Sequence, residues 1–422
     1  MKILFWVSFA VIFYTYVGYP AAISVLAGCM RLLRRRFPLP RRVRRKMSNV
    51  TRNDRIERLA SFRNDEDRWL LMREGGGSLA VAEKDELPFV SMIMSVFNEE
   101  GIIEEKIENC LKVDYPKDKL EILIGSDGST DRTNEIIGRY RDKGIKTIYV
   151  EERRGKPFII NRLVEAAKSE ILFFTDARQE MEENALKALV WNFNDKNIGC
   201  VSGELLYKRS SSITGRGVGA YWRYEKYLRE KESDIHSMIG ATGAIYACRR
   251  SLFEELPDDI ILDDIYTPMQ IVKKGYRAIF DRDARAYDVV GETPRDEHRR
   301  KIRTLSGNYQ LFFKMPQMIN PFRSRLALQI ISHKALRLFV PFFMVALFLS
   351  NAALLGEPFY GVVFVAQIIF YATAVLEALF RRRIKKIFGL PYLFCLMNFS
   401  ALMGLLTFLF KRTNVTWKKA RV

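Results

Sequence analysis

Four acids and three bases stand out in this chain, because their types and placement suit work on a phosphate-bearing substrate. Asp127 lies in the turn Ser126-Asp127-Gly128-Ser129-Thr130-Asp131, Asp176 closes the apolar run Ile171 to Thr175, and Asp263-Asp264 open an amphipathic stretch. Alone, each reads equally well as turn chemistry or a helix cap. Together they put carboxylates at the carboxyl edge of one sheet. Open α/β folds bind ligands at that edge, and an acid there can take a proton or hold a cation. Lys156, which follows Arg153-Arg154-Gly155, and the pair Arg300 and Arg303 add positive charge. A spacing of three on a helix places both guanidinium groups on one face, able to grip a diphosphate. A solvated basic surface is the alternative in a chain with 68 Lys and Arg.

The elements that must position these groups follow an α/β rhythm from Pro88 onward. Strands are expected at Phe89 to Val96, Glu121 to Ser126, Lys146 to Val150, Glu170 to Thr175, Cys200 to Leu205, Gly243 to Cys248 and Arg277 to Phe280. Helices are expected between them at Ile102 to Leu111, Asp131 to Arg141, Lys156 to Ala167, Glu183 to Phe193 and Ile265 to Lys274. The run ending at Asp176 is apolar on both faces, as a central strand of a parallel sheet must be.

The 48% hydrophobic share is concentrated at the two ends of the 422 residues. Ile3 to Cys29 is long enough to span a bilayer, and nine Lys/Arg without an acid follow between Arg31 and Lys46. That pattern predicts an uncleaved anchor with its amino terminus outside, rather than a signal peptide or a lipoprotein box at Leu26-Ala27-Gly28-Cys29. Leu338 to Leu355, Phe359 to Phe380 and Ile387 to Phe410 are each long enough to span. Five Lys/Arg lie between Arg381 and Lys386 and five between Lys411 and Arg421. Four spans would leave the basic tail outside. A last segment that dips in and returns, broken by Gly389, Pro391 and Asn398, keeps it in the cytoplasm.

Because the basic clusters abut apolar runs, the net charge of +19 points to membrane lipid and away from nucleic acid. Five scattered cysteines, Cys29, Cys110, Cys200, Cys248 and Cys395, predict free thiols. The expected organisation is a transmembrane helix at 1–29, a basic juxtamembrane segment and linker at 30–87 and a catalytic domain at 88–306. Amphipathic interface helices follow at 307–336, and a transmembrane region at 337–422.

Residues 88 to about 307 resemble the catalytic domain of membrane-bound family 2 glycosyltransferases, the inverting GT-A enzymes that include cellulose, hyaluronan, chitin and poly-N-acetylglucosamine synthases. Val90 through Asn98-Glu99-Glu100 resembles their opening strand, Ser126 through Asp131 their nucleotide-binding turn, and Gly155-Lys156 through Asn161 a nucleotide-contacting segment. Thr175-Asp176-Ala177 is similar to their metal-binding Asp-x-Asp site, and Gly240-Ala241-Thr242-Gly243 to an acceptor-side segment. Leu262-Asp263-Asp264 stands in the place of Thr-Glu-Asp, and Arg300-Lys301-Ile302-Arg303-Thr304 in that of Gln-x-x-Arg-Trp. Two departures are evident. The second acid of Asp-x-Asp is Arg178, leaving Asp176 with Glu180 as a candidate substitute. The Trp of the last motif is Thr304, which weakens the inference to a processive synthase.

The resemblance implies a GT-A fold and an α/β catalytic domain on the cytoplasmic side of a bacterial plasma (inner) membrane. It implies a nucleotide-sugar donor, UDP-linked by expectation, held by Asn98, Glu99, Asp127, Lys156, Asp176, Arg300 and Arg303. Mg2+ or Mn2+ would sit on Asp176, Asp264 would act as general base, Asp263 would shape the pocket, and Gly240, Thr242 and Gly243 would lie on the acceptor side. The expected acceptor is a growing polysaccharide, with export or polymerisation partners. Single transfer to a lipid-linked acceptor, or a catalytically silent export subunit, are the rival readings.

Overall fold

The computed structural model describes residues 1–36, 87–207, 213–288, 294–379 and 389–410. The linker expected at 48–86 and the basic clusters at 381–386 and 411–421 lie outside the described residues, as does most of the first basic cluster.

Eight strands form one mixed sheet: β1 (Val90–Val96), β2 (Leu120–Asp127), β3 (Ile145–Val150), β4 (Ile171–Phe174), β5 (Glu180–Met181), β6 (Ile198–Tyr207), β7 (Tyr246–Arg249) and β8 (Arg277–Asp288), in the order β3-β2-β1-β4-β7-β6-β8-β5. The chain steps outward through β1, β2 and β3, all parallel, then returns to add β4 in parallel on the other side of β1. Strand order therefore reverses between β1 and β4. The crevice beyond their carboxyl ends is where an open sheet of this kind takes its ligand. Beyond β4 the sheet turns antiparallel through β7 and β6.

Both faces are covered. Val90, Met92, Met94 and Val96 of β1 point into one core with helices α3 (Ile103–Leu111), α4 (Thr133–Gly138) and α6 (Ala185–Trp191). Ile93 points into the other, beneath α5 (Lys156–Ala166) and α8 (Asp263–Lys273). Period-two alternation with apolar residues on both sides is what a doubly covered strand requires.

Five differences from the sequence expectation bear on the site. The helix expected from Ile265 begins at Asp263, so both acids sit in its first turn, where free backbone N–H groups favour negative charge. The strand expected from Gly243 begins at Tyr246, because Gly240 turns the chain at φ +81° and Ile245 N–H closes onto Thr242 O. The strand expected to end at Phe280 continues to Asp288, with the alternating Ala284, Ala286 and Asp288 buried. The short strand β5 pairs with β8 where no strand was expected. A 23-residue helix, α7 (Ile213–Ile235), fills a stretch that carried no helix expectation.

The membrane-facing part begins with α1 (Lys2–Phe13) and α2 (Tyr19–Arg36), continuous through a π-helical turn at Tyr14–Gly18. After α9 (Pro294–Lys314), which runs unbroken across position 306, come a 3-10 turn at Pro316–Ile319, the single turn α10 (Ala327–Ile330) and a second π-helical turn at Ile331–Ala335. Then follow α11 (Leu336–Ala352), α12 (Pro358–Leu379) and α13 (Gly389–Leu409). Among the described residues, four helices are long and apolar enough to cross a membrane: Lys2–Leu32, Ala327–Ala352, Pro358–Leu379 and Leu390–Leu409.

The last does not break and return, contrary to expectation. Gly389 and Pro391 fall in its first turn, where neither interrupts the hydrogen-bond ladder, and the Asn398 amide donates back to Phe394 O at 2.9 Å. Its far end packs against α9. Phe408 stacks on Phe313 and Tyr309 of α9, and the Tyr309 hydroxyl donates to Leu338 O at the start of α11. The Lys2–Glu357 ion pair marks the opposite end of the bundle.

Gly125 lets α5 lie against β2: a Cβ there would come within 2.3 Å of Ile159 Cγ2 and 3.1 Å of Leu163 Cδ1. Gly125→Ala is expected to destabilise the protein by about 1–3 kcal/mol through overpacking. A thermal melt in detergent against wild type checks it.

Candidate active site

The site assembles from the ends of β1, β2 and β4, the first turn of α5, the loop before β7 and the first turn of α8. Asn98, just past β1, has a positive φ of 51°. Its Oδ1 accepts from Thr130 N–H at 2.8 Å, and its own N–H donates to Ser129 Oγ at 3.1 Å. Glu99 is buried, and its N–H donates to Thr133 Oγ1. These bonds lock the turn after β2 onto the end of β1.

Asp127 is buried and accepts from Arg154 N–H at 2.7 Å and from Gly155 N–H at 2.9 Å. A carboxylate bonded to two successive amides fixes the loop that leads into α5. Gly155 sits at φ +100°, a conformation that only glycine adopts without strain. Arg153 lies with its guanidinium 3.6 Å from the Phe97 ring centroid, closing the same side of the crevice.

With that loop fixed, the Lys156 ammonium reaches Asp176 Oδ1 at 2.9 Å and Asp263 Oδ2 at 3.3 Å. Burial opposes its charge, but Asp176, Asp263 and Asp264 outweigh it and raise its pKa. Asp264 Oδ2 accepts from Gly243 N–H at 3.3 Å, and Asp264 O from Ala241 N–H at 2.7 Å. Burial and the neighbouring Asp263 push the Asp264 carboxyl up to about 6, with Lys156 and Arg229 pulling the other way. A carboxylate in that range suits a general base near neutral pH.

Arg303 of α9 is half-buried; desolvation lowers its pKa, while the charges of Asp263, Asp264 and Asp176 oppose that shift. The sequence paired Arg303 with Arg300, and both lie on α9.

Arg178 does not enter the cluster. Its guanidinium pairs with Asp288 at 2.6 Å, and Gln179 Nε2 donates to the same carboxylate oxygen. Glu180, the candidate substitute ligand, begins β5 opposite Tyr287 and is exposed. Among the described residues no group of three or more His, Cys, Asp or Glu is placed as a preformed metal site. A cation that arrives with a diphosphate needs less, because Mg2+-like ions are commonly held by one or two carboxylates plus phosphate oxygens and water. Gly243 leaves room for that arrangement: a Cβ there would lie 3.4 Å from Asp264 Oδ2 and 3.7 Å from Asp176 Oδ2, so two carboxylate oxygens border the same space. The residues therefore fit a divalent ion, which the carboxylates of Asp176 and Asp264 would face.

Two contributors were missed in the sequence. Arg229 of α7 donates to Thr242 Oγ1 at 2.5 Å, tying the acceptor-side loop to a helix that carried no motif. Lys106 of α3 is buried beneath the end of β4, where its ammonium donates to Thr175 Oγ1 at 2.9 Å and Gln179 O at 2.5 Å. Lys106 had a signal: it shares the face of α3 that buries Ile103, Ile107 and Cys110, where a solvated lysine does not belong.

A mixed sheet with carboxylates, a lysine and an arginine converging beyond its strand reversal defines a GT-A-type sugar-transferase fold. Mannosyltransferase PcManGT from Pyrobaculum calidifontis, solved in complex with GDP-Man and Mn2+, shares that fold at a TM-score of 0.62 and 23% identity, over 94% of this chain and 99% of that one. Residues 91–257 match glycosyl transferase family 2, and residues 175–410, more than half of the chain, match glycosyl transferase family group 2. The chain belongs to the family 2 glycosyltransferases.

Among curated relatives, the poly-beta-1,6-N-acetyl-D-glucosamine synthase of Staphylococcus aureus (strain MSSA476) is 24% identical over 236 residues, covering 54% of this chain and 57% of that protein. The probable glycosyltransferase YdaM of Bacillus subtilis (strain 168) is 26% identical over 251 residues, with the same coverage. The chain thus spans just over half the length of these relatives.

If the carboxyl of Asp264 carries the base function, kcat/KM for the donor should fall about tenfold per pH unit as pH drops below about 6, because protonation removes the base. A pH profile that stays flat from pH 7 to 5 would exclude Asp264 from this role.

Proposed function

We propose that this protein is an inverting glycosyltransferase that moves a sugar from a nucleoside diphosphate, UDP by preference, onto a growing polysaccharide at a membrane, forming β-linkages. The observation that carries the reading is the Lys156 ammonium set between Asp176 and Asp263, next to a carboxyl at Asp264 poised near 6. Leaving-group stabilisation and proton removal are the two operations that sugar transfer from a diphosphate needs. Here the groups for each are adjacent.

In this reading Asn98, Glu99 and Asp127 shape the nucleotide side of the crevice, with Asp127 acting through the Arg154–Gly155 loop. Lys156 and Arg303 meet the diphosphate charge, and Arg300 adds to the field from one turn earlier on α9. Mg2+ or Mn2+ on Asp176 would supply further positive charge to the diphosphate. Asp264 takes the proton from the acceptor hydroxyl as it attacks the anomeric carbon opposite the leaving group. Asp263 keeps Lys156 in register, while Gly240, Thr242 and Gly243 line the acceptor side. One displacement inverts configuration, so an α-linked donor yields a β-linked product.

The names of the relatives make UDP-N-acetylglucosamine the first donor to test and a polymer of that sugar the first product to look for. The four apolar helices suit a bacterial plasma membrane, with α13 running along α9, Ser400 beside His298 and Phe408 beside Tyr309, rather than crossing, so that the catalytic domain and the carboxyl terminus are both cytoplasmic, with export or polymerisation partners alongside. Transfer of a single sugar to a lipid-linked acceptor is the second reading. It is favoured by Thr304, whose hydroxyl folds back onto Arg300 O and puts no aromatic platform at that turn of α9.

Nucleotide release from UDP-, GDP- and dTDP-sugars by purified protein, followed by sizing of the product, separates these readings: a ladder or long polymer for the first, one increment for the second. Asp264→Asn should bind UDP within about twofold of wild type yet lose at least about a hundredfold in transfer, the range expected for loss of a general base. Near-normal turnover would remove Asp264 from the mechanism. EDTA should weaken UDP binding, with Mn2+ restoring it. A carboxyl-terminal reporter active only outside the cytoplasm should stay silent.

A further inference from the structure

A second cluster of ionisable side chains lies away from the transfer site, where the catalytic domain meets the membrane helices. His333, fully buried, places Nδ1 2.7 Å from Glu232 Oε1 and Nε2 3.1 Å from Glu225 Oε2. Both glutamates belong to α7 and are themselves buried. Tyr19 of α2 donates its hydroxyl to Glu232 Oε1 at 2.8 Å, Arg337 of α11 pairs with Glu225, and Lys334 Nζ lies 3.6 Å from the same carboxylate. One set of side chains thus joins the first membrane helix, the second, and α7.

Two features mark this junction as more than glue. Both π-helical turns among the described residues meet here: His333 lies within Ile331–Ala335, and Tyr14 of the turn Tyr14–Gly18 bonds Ser332 of the other at 2.9 Å, while the Tyr224 hydroxyl of α7 donates to Tyr16 O. Single π-turns inside α-helices concentrate at functional sites. Buried charge clusters, moreover, add little stability over well-packed apolar side chains, so what this one contributes is orientation.

Glu225, Arg229 and Glu232 fall at i, i+4 and i+7, one stripe of α7. Glu225 and Glu232 hold His333, and Arg229 between them donates to Thr242 Oγ1. Thr242 N–H is in turn held by Ser202 Oγ, and the next residue, Gly243, donates to Asp264 Oδ2.

We propose that His333 is a positioning residue: by clamping Glu225 and Glu232 it sets α7 against the membrane helices, and through Arg229 and Thr242 it fixes the acceptor side of the transfer site relative to the bilayer. This rests on the glycosyltransferase reading above. It assigns the membrane helices a part in acceptor placement, separate from donor binding on the β1–β4 side.

The test uses full-length protein in lipid nanodiscs with the donor selected by the nucleotide-release screen, UDP-N-acetylglucosamine first. Two quantities are read for each variant: Kd for UDP, and sugar incorporated into product. His333→Ala and Arg229→Met should each cut incorporation at least about tenfold, and His333→Ala should leave the UDP Kd within about twofold. The double variant should be no worse than the weaker single one, as expected for two links of one chain. His333→Gln, which keeps a polar contact, should recover part of the loss. Should His333→Ala fail to fold, Tyr19→Phe removes one hydroxyl from the same junction and should show the same split at smaller amplitude.

Losses in UDP binding that track the losses in transfer, multiplicative losses in the double variant, or Tyr19→Phe at wild-type incorporation would overturn the proposal while leaving the transferase reading intact. Wild-type protein inert toward every nucleotide sugar would overturn both.

Discussion

The placement of one ammonium group governs this site. Lys156 lies between Asp176 and Asp263 with Asp264 alongside, and without it three carboxylates would crowd a poorly solvated crevice. Lys156 and Asp176 are both half-buried, so solvent screening softens the cost of losing either partner below that of a fully buried pair. The position of Lys156 is itself the product of a chain of constraints. Asp127 fixes the loop before α5, Gly155 supplies the left-handed turn, and Gly125 allows α5 to press on β2. Much of the sheet's local sequence serves to aim a single side chain.

The opposite wall of the site depends on elements that continue into the membrane region. Gly307 of α9 packs against Leu262, one residue before the acids of α8, and Gln310 accepts from Ile261 N–H. The same helix carries Arg303 inward and supports α13 on its outer side, where Gly404 permits contact with Leu305 and Ser306. The β1–β4 side of the site is thus set within the sheet, whereas its other wall is set by α7, α8 and α9 against the apolar helices.

Much of the β1–β4 side of the site was legible in the sequence, for a physical reason. Strands buried on both faces read as continuous apolar runs, so the ends of β1, β2 and β4, and with them Asn98, Asp127 and Asp176, could be located within a residue or two. Position on the sheet edge then implied convergence. What could not be read was pairing across distance. Arg178 stood two residues from Asp176 and invited a role in the cluster, yet its partner Asp288 is 110 positions away, on a strand whose polar alternation disguised its length.

Helix α7 was hidden by its own chemistry: Glu225, Arg229 and Glu232 look like a solvated face, and only the folded structure shows that face turned inward onto His333 and Thr242. The re-entrant form expected for the last apolar segment failed on a local point. Gly389 and Pro391 stand at the start of α13, where they open a helix without breaking it.

The Lys156 ammonium lowers the pKa of the neighbouring Asp264 carboxyl, and the pH dependence of residual kcat/KM in Lys156→Gln against that of wild type tests this coupling most directly. Loss of the ammonium removes the attraction that holds the Asp264 carboxyl down to about 6, so the acid limb should move to higher pH. An acid limb that stays in place, or moves to lower pH, would contradict the account.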